Sequence, residues 1–303
     1  AWAQAYPTKP VRVVVPYVAG GSIDIVSRLF AQGMSEDLRQ PFVVENRPGA
    51  NGNVGTEQVA RSTADGYTLA MVSAGTIAIN PFLYKSMSFD TQKDLAPVSL
   101  VASGPMVLVV NSSLPIRTLN DLIAYAKANP GKLNMGSGGN GSLAHLSAEM
   151  MRSRTGIGFT HVPYKGTSLA QNDLIAGHIQ AMFDTLYTAV PFITEGRTRA
   201  LAVTSTKRSS VLPDVPTIAE IGVRDYSADA WAGLVGPAGL PREIAARLQA
   251  SIARFAQRDA VQKKLVSVGS EGVASTPEQF AAAIQADRAK WAEVVKASGA
   301  RID

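Results

Sequence analysis

Two glycine-rich segments are the residues in this 303-residue chain most suited to chemistry. The first is Val15-Pro16-Tyr17-Val18-Ala19-Gly20-Gly21-Ser22-Ile23-Asp24, and the second is Gly136-Ser137-Gly138-Gly139-Asn140-Gly141. Each lies between an apolar β-branched run and the start of an amphipathic helical stretch. Glycine lets a ligand reach the backbone with no Cβ in the way. A helix that begins there presents N–H groups with no intrahelical acceptor and about half a unit of positive charge. In open parallel sheets, ligands bind beyond the carboxyl ends of the strands. Two such ends converging on one cleft would clamp an anion, a carboxylate or a phosphate. Ser22 is positioned to cap the first helix. Asp24, in the first turn, suits the helix dipole as well as it suits a ligand contact. For a purely anionic ligand it should point away, whereas a ligand amine would be received by Asp24 or Asp184. His145, one turn into the second helix, reads equally as a ligand-side or loop-bracing group and as a packed helix residue.

Other chemistries have weaker support. Gly136 to Gly141 matches G-x-G-x-x-G, but a dinucleotide site needs an acid about 20 residues on, at the end of the next strand. That strand, Phe159-Thr160-His161-Val162-Pro163-Tyr164-Lys165, has none. A nicotinamide-type oxidoreductase therefore stands as the alternative reading. The histidines, His145, His161 and His178, are too evenly spread for a local metal site. The chain has no cysteine, which excludes disulfides, thiolate nucleophiles and zinc–thiolate centres. No G-x-S-x-G elbow, S-x-x-K pair or Walker A sequence occurs. The expectation is a binding protein without catalytic residues, metal or cofactor. Net charge is +5, but the basic residues are scattered, with Lys207-Arg208 and Lys263-Lys264 only pairs, so no nucleic-acid partner is expected.

The elements that must position these loops follow from pattern. The length suggests about two domains, and 46% apolar residues suffice for their cores. Short β-branched runs alternate with helical stretches, which argues for mainly parallel sheets built from βα units. Strands are expected at 11–15, 42–46, 67–72, 106–110, 133–135, 159–162, 179–183 and 200–203. Helices are expected at 22–38, 54–61, 119–128, 142–154, 168–176, 241–258 and 277–298. Thr276, Pro277 and Gln279 form a capping box for the last helix. The uncharged run Leu95–Ile116 is broken by Pro97, Pro105 and Pro115 and reads as buried strands with turns, not as a membrane span. Residues 1–102 form the first part of lobe one, 103–226 form lobe two, and 227–303 return to lobe one. Ala3-Gln4-Ala5 has the form read by signal peptidase and fits the tail of a removed signal peptide, with an ordinary terminus as the alternative.

Read in order, several motifs become specific together. They are Tyr6-Pro7-Thr8-Lys9-Pro10-Val11, Pro16-Tyr17 through Asp24, Glu45-Asn46-Arg47-Pro48-Gly49-Ala50 and Asp65-Gly66-Tyr67-Thr68-Leu69. Then come Gly138 to Ser142 with His145, Val162-Pro163-Tyr164-Lys165-Gly166, Leu212-Pro213-Asp214-Val215-Pro216-Thr217 and Trp231-Ala232-Gly233. This series resembles the Bordetella uptake gene (Bug) family, the substrate-binding receptors of tripartite tricarboxylate transporters, over essentially the whole chain. The resemblance implies a two-lobe periplasmic-binding-protein fold of α/β class with the ligand cleft between the lobes. It implies closure on a small carboxylate held largely by backbone amides and ordered waters. The matching positions are Tyr17, Ala19, Gly20 and Gly21 in the first loop, Ser73, Ala74 and Gly75 after the third strand, and Gly139, Asn140, Gly141, Ser142, Tyr164 and Asp184 in lobe two. Ser22, Asp24 and His145 complete the candidate set. Ile23 departs from the family, where Thr is frequent, which removes one side-chain hydroxyl. The implied partners are a small carboxylate and membrane transporter components, the implied compartment is the periplasm, and the chain is expected to act as a monomer. A ligand-gated sensor is the further alternative.

Overall fold

The computed structural model describes residues 6–267 and 269–302, so the Ala3-Gln4-Ala5 reading lies outside the described residues. The chain divides into two compact units. Unit one runs to Ser103 and includes Trp231–Leu265 and Glu271–Lys290; unit two holds Gly104–Ala230, Val266–Ser270 and the chain from Trp291 onward. The return crossing thus falls at 230/231 rather than 226/227, and parts of the tail join unit two. Residues 226–229 stay with unit two because they are bonded into it. Tyr226 Oη donates to Ser147 O (2.7 Å), and Thr204 Oγ1 donates to Ala228 O (3.1 Å).

Unit one opens with β1 (Val11–Val15), α1 (Ser22–Leu38), β2 (Phe42–Asn46), α2 (Asn53–Ala60) and β3 (Thr68–Ser73). A π-helical turn, Gly75–Ile79, leads into α3 (Asn80–Leu83), followed by β4 (Leu95–Gly104). Unit two holds β5 (Met106–Asn111), α4 (Leu119–Ala128), β6 (Asn134–Ser137), α5 (Leu143–Thr155), β7 (Thr160–Pro163), α6 (Thr167–Ala176), β8 (Ala181–Thr185), α7 (Leu186–Thr194) and β9 (Thr198–Val203). The chain ends with β10 (Ala230–Pro237), α8 (Arg242–Ala256), α9 (Asp259–Ser267), β11 (Glu271–Gly272) and α10 (Pro277–Ser298).

Each unit is a sheet flanked by helices, the α/β two-unit architecture expected from sequence. The six-stranded sheet has the order β11-β4-β10-β3-β1-β2, and the five-stranded sheet the order β7-β6-β8-β5-β9. In unit one, β3, β1 and β2 are parallel and β10 runs against β3. In unit two, β7, β6 and β8 are parallel, while β5, the strand on which the chain enters the unit, runs against both β8 and β9. The carboxyl ends of β1–β3 therefore share one edge of their sheet, and those of β6–β8 share one edge of theirs. Every helix start that carries a candidate residue sits just past such an end.

Apart from Arg12, which is exposed and paired with Glu45, the β1 run is apolar on both faces because both are covered. Val11, Val13 and Val15 pack with Phe30, Met34, Leu69 and Met71 against Leu248, Ile252 and Phe255 of α8. Val14 faces the other way, with Val59, Ala70, Val72, Val235, Phe280 and Ile284. In unit two, Val107, Val109, Met182 and Val203 pack with Ala170 and Leu174 of α6 and Leu186 and Ala189 of α7. Two-sided burial fixes strand register, since a one-residue slip would exchange the faces. The loops beyond the strand ends inherit that fixed geometry. Among the described residues, no helix is long and apolar enough to cross a membrane.

Candidate functional site: two glycine loops past the parallel strand ends

In unit one the loop from β1 to α1 is folded around Asp24. Gly20 N–H donates to Asp24 Oδ2 (2.9 Å), Arg28 Nε donates to the same oxygen (3.0 Å), and Asn46 Nδ2 donates to Oδ1 (2.8 Å). Asn46 Nδ2 also donates to Tyr17 O (3.1 Å). Asp24 is 3% exposed. Burial alone would raise its pKa, but the bonds from Arg28, Gly20 and Asn46 outweigh it and hold the carboxyl below its ordinary range. Both carboxylate oxygens are thus committed within the loop, and Asp24 turns away from the open side.

Ser22 does not cap α1. Gly21 occupies the N-cap position with φ −77° and ψ 167° and brings no side chain, while Ser22 is the first helical residue. The first bond into the helix is Ile25 N–H to Gly21 O (3.0 Å). Among the described residues, the amides of Gly21, Ser22, Ile23 and Asp24 have no acceptor. Four consecutive N–H groups at a dipole's positive end are therefore free to meet an anion.

Tyr17 pins this loop to the next. Its hydroxyl bonds Ser73 Oγ (2.6 Å) and Thr76 Oγ1, and burial raises its pKa. Thr76 Oγ1 donates to Asn51 O (3.1 Å), and Asn80 Nδ2 donates to Asn51 O (3.0 Å) and Asn53 Oδ1 (2.7 Å). A Cβ on Gly52 would run into Thr76 Oγ1 and the Tyr17 hydroxyl, so only glycine lets the three loops close on one another there. Ser73 ends β3, and Ala74, as N-cap, and Gly75 start a helical turn of π type where a loop is expected, a feature common at functional sites.

In unit two the loop from β6 to α5 is folded around two histidines. Gly141 N–H donates to His145 Nδ1 (3.1 Å). The His145 ring stacks on His161 with centroids 3.8 Å apart and planes 9° apart. His161 Nε2 lies 2.7 Å from Ser137 Oγ, which accepts Gly139 N–H (3.1 Å) and donates to Gly139 O (3.0 Å). The assignment that satisfies all three contacts has His161 donating from Nε2. Glu149 lies below, with Oε1 3.7 Å from His145 Nε2 and Oε2 3.1 Å from Arg152. Burial, and then the neighbouring His145, push the His161 pKa down to about 4, so its ring is neutral at physiological pH. Gly139 has φ 141°, a conformation that residues with a Cβ rarely adopt.

Ser142 caps α5 through Oγ, which accepts His145 N–H (3.3 Å), and its own N–H bonds Gly139 O (3.2 Å). Of the four expected backbone positions, Gly139, Gly141 and Ser142 thus use their amides inside the loop, and Asn140 alone leaves its amide open. Gly138, Leu143 and Ala144 also have amides without an acceptor among the described residues. The start of α6 abuts this loop: a Cβ on Gly138 would meet Thr167 Oγ1 and Thr167 N. That start has Gly166 at its N-cap and no side-chain cap.

Tyr164 and Asp184 are also engaged. Tyr164 Oη donates to Asp173 Oδ2 (2.6 Å). Asp184, at 1% exposure, accepts from Gln171 Nε2 (2.5 Å), Thr185 N (2.8 Å) and Thr188 Oγ1 (2.6 Å). Burial outweighs those bonds and raises its pKa to about 7. As with Asp24, the carboxylate is turned into the fold. Ala19 and Asn140 are exposed. The sequence reading missed Asn46, Asn51, Thr76, Asn80, Ser137 and His161 as loop builders. One signal marks two of them: Asn46 and Ser137, like Asp184, are polar residues at or next to the carboxyl end of a parallel strand.

A family model described as tripartite tricarboxylate transporter family receptor matches residues 26–300. BugT of Bordetella pertussis is 37% identical over 301 residues, covering 99% of this chain and 92% of BugT. Among solved structures, R. palustris Rpa4515 with adipate is 38% identical with a TM-score of 0.90, covering 98% of this chain and 100% of that one. The periplasmic binding protein BugD is 34% identical with a TM-score of 0.86, covering 98% and 99%. MatC (Rpa3494) from Rhodopseudomonas palustris with bound malate is 31% identical with a TM-score of 0.85, covering 96% and 100%. With the family model matching residues 26–300 and the relatives covering nearly the whole chain, the chain belongs to the Bug-type receptor family of tripartite tricarboxylate transporters.

Proposed function

We propose that this protein is an extracytoplasmic solute-binding receptor that captures a small carboxylate for uptake by a tripartite tricarboxylate-type transporter. The observation that supports it is the set of open amides at two helix starts: Gly21 to Asp24 in unit one, and Gly138, Asn140, Leu143 and Ala144 in unit two. A carboxylate supplies the missing acceptors with charge-assisted bonds, each worth roughly 1.5–3 kcal/mol. Asp24 and Asp184 face inward, so neither repels an anion nor receives a ligand amine. Acids without an amine are therefore the favoured ligands over amino acids. In this reading each glycine loop offers its own open amides to a ligand carboxylate. The compartment is taken to be that of the periplasmic binding protein BugD.

The oxidoreductase alternative has less support, because β7 ends at Pro163, followed by Tyr164 and Lys165, with no acid for a ribose. Calorimetry and thermal unfolding with adipate, malate, aspartate and NAD separate the readings. Adipate or malate at about 100 times its Kd should stabilise the protein by roughly 2.7 kcal/mol, with aspartate weaker and NAD inert. Stabilisation by NAD and by no acid would sink the proposal.

A further inference from the structure

We propose that His145 is the positioning residue of the second glycine loop: as a neutral imidazole stacked on His161 it accepts the Gly141 N–H and fixes the direction of the loop's open amides, and it ceases to do so on protonation. The proposal rests on the reading that this loop holds a carboxylate.

The geometry carries it. Nδ1 can accept from Gly141 only while it has no proton, which assigns the ring hydrogen to Nε2. The second imidazole holds the other end of the loop. His161 reaches Gly139 through Ser137 Oγ, which both accepts from and donates to that residue. Two stacked rings thus clamp Gly139 and Gly141, and the open amides of Asn140, Leu143 and Ala144 lie between and just beyond the clamped points. His145 is 7% exposed, so no water replaces the lost acceptor cheaply. Charged and titratable groups facing the stack are Glu149 and Arg152 from α5 and His161 from β7; β6 contributes the uncharged Ser137, and Tyr226 reaches α5 only at Ser147 O. Burial keeps His161 neutral. A proton on His145 Nδ1 would face the Gly141 N–H donor to donor.

The test uses the full chain, wild type, His145→Asn and His145→Ala. Asparagine sets Oδ1 where Nδ1 stood and does not titrate. The first readout needs no ligand: the Gly141 amide resonance followed by NMR from pH 8 to pH 5, the range in which imidazoles change charge. The second is adipate affinity by calorimetry over the same range. In the wild type, the Gly141 resonance and the affinity should move together as the pH falls. His145→Asn should stay within about threefold of the wild-type affinity at pH 8 and show a flat profile, whereas His145→Ala should be about tenfold weaker, the loss of one charge-relevant hydrogen bond. A Gly141 resonance indifferent to pH, or His145→Asn titrating like the wild type, overturns the proposal. Should His145→Ala not fold, the wild type against His145→Asn decides. Should adipate bind no variant, the carboxylate reading fails while the Gly141 titration still decides the role of His145.

Discussion

The two glycine loops share one device and differ in its chemistry. In each, the glycine just before the N-cap has its N–H held by the third helical residue, four positions on: Gly20 by Asp24 in unit one, Gly141 by His145 in unit two. Asp24 is an ionised acceptor kept so by Arg28 and Asn46, and it works at any pH above the carboxylate range. His145 is a neutral acceptor and accepts only while its Nδ1 carries no proton. The caps differ as well. Gly21 leaves four consecutive amides open at α1, whereas Ser142 takes the third amide of α5 and leaves two. The comparison separates a loop braced by a charged acceptor from one braced by a neutral acceptor, built on the same backbone plan.

The largest expected effect is a contrast in pH dependence between the buried acids of the two units. Asp24 has a depressed pKa, so its contribution to stability is present above the unfolded value near 4 and is lost as the pH falls through its lower folded value. Asp184 has a raised pKa of about 7, so the folded state holds a proton that the unfolded chain releases. Its contribution therefore declines as the pH rises from about 4 to about 7, by up to roughly 4 kcal/mol. Urea unfolding across pH 2.5–8.5 should show Asp24→Asn removing part of the acid-side loss and Asp184→Asn removing the decline between pH 4 and 7. Both variants altering the same limb of the profile would break the contrast.

A smaller effect sharpens the difference in capping. Gly21 already has backbone angles that serine adopts, and a Cβ there has Val18 O as its nearest neighbour at 3.7 Å. Gly21→Ser should therefore add a cap, raising stability by roughly a few tenths of a kcal/mol. The same hydroxyl would occupy an amide meant for the ligand, weakening adipate binding by about fivefold, near 1 kcal/mol. A gain in stability with unchanged affinity would mean that the α1 amides do not touch the ligand.

Much of the fold was legible because its signals are local. Ser22–Leu38 and Pro277–Ser298 match their expected bounds, and the capping box forms as read, with Thr276 N donating to Gln279 Oε1 (3.0 Å) and Gln279 N to Thr276 Oγ1 (3.2 Å). The apolar run from Leu95 contains β4 and β5. The π turn after Ser73 was read as a loop, because its i→i+5 bonding has no sequence signature of its own. β10 was not foreseen, since its place is set by pairing with β3, which lies some 160 residues away in sequence. At the site, the glycine positions were legible from backbone freedom, but the open amides were not. Which N–H groups stay open depends on side chains four residues on, Asp24 and His145, and on Ser137, held by the distant His161. Ser22 looked like a cap, yet the bond from Asp24 to Gly20 fixes the turn so that Gly21 takes that place.

The central claim is that open backbone amides at two helix starts hold the ligand's carboxylate. Amide NMR during an adipate titration tests it directly. The account predicts the largest changes at Ser22, Ile23, Asp24, Leu143 and Ala144, with Gly20 and Gly141, already bonded, moving little. Changes centred instead on the depression of about 490 Å³ between Tyr84, Asp94 and Arg288 would contradict it.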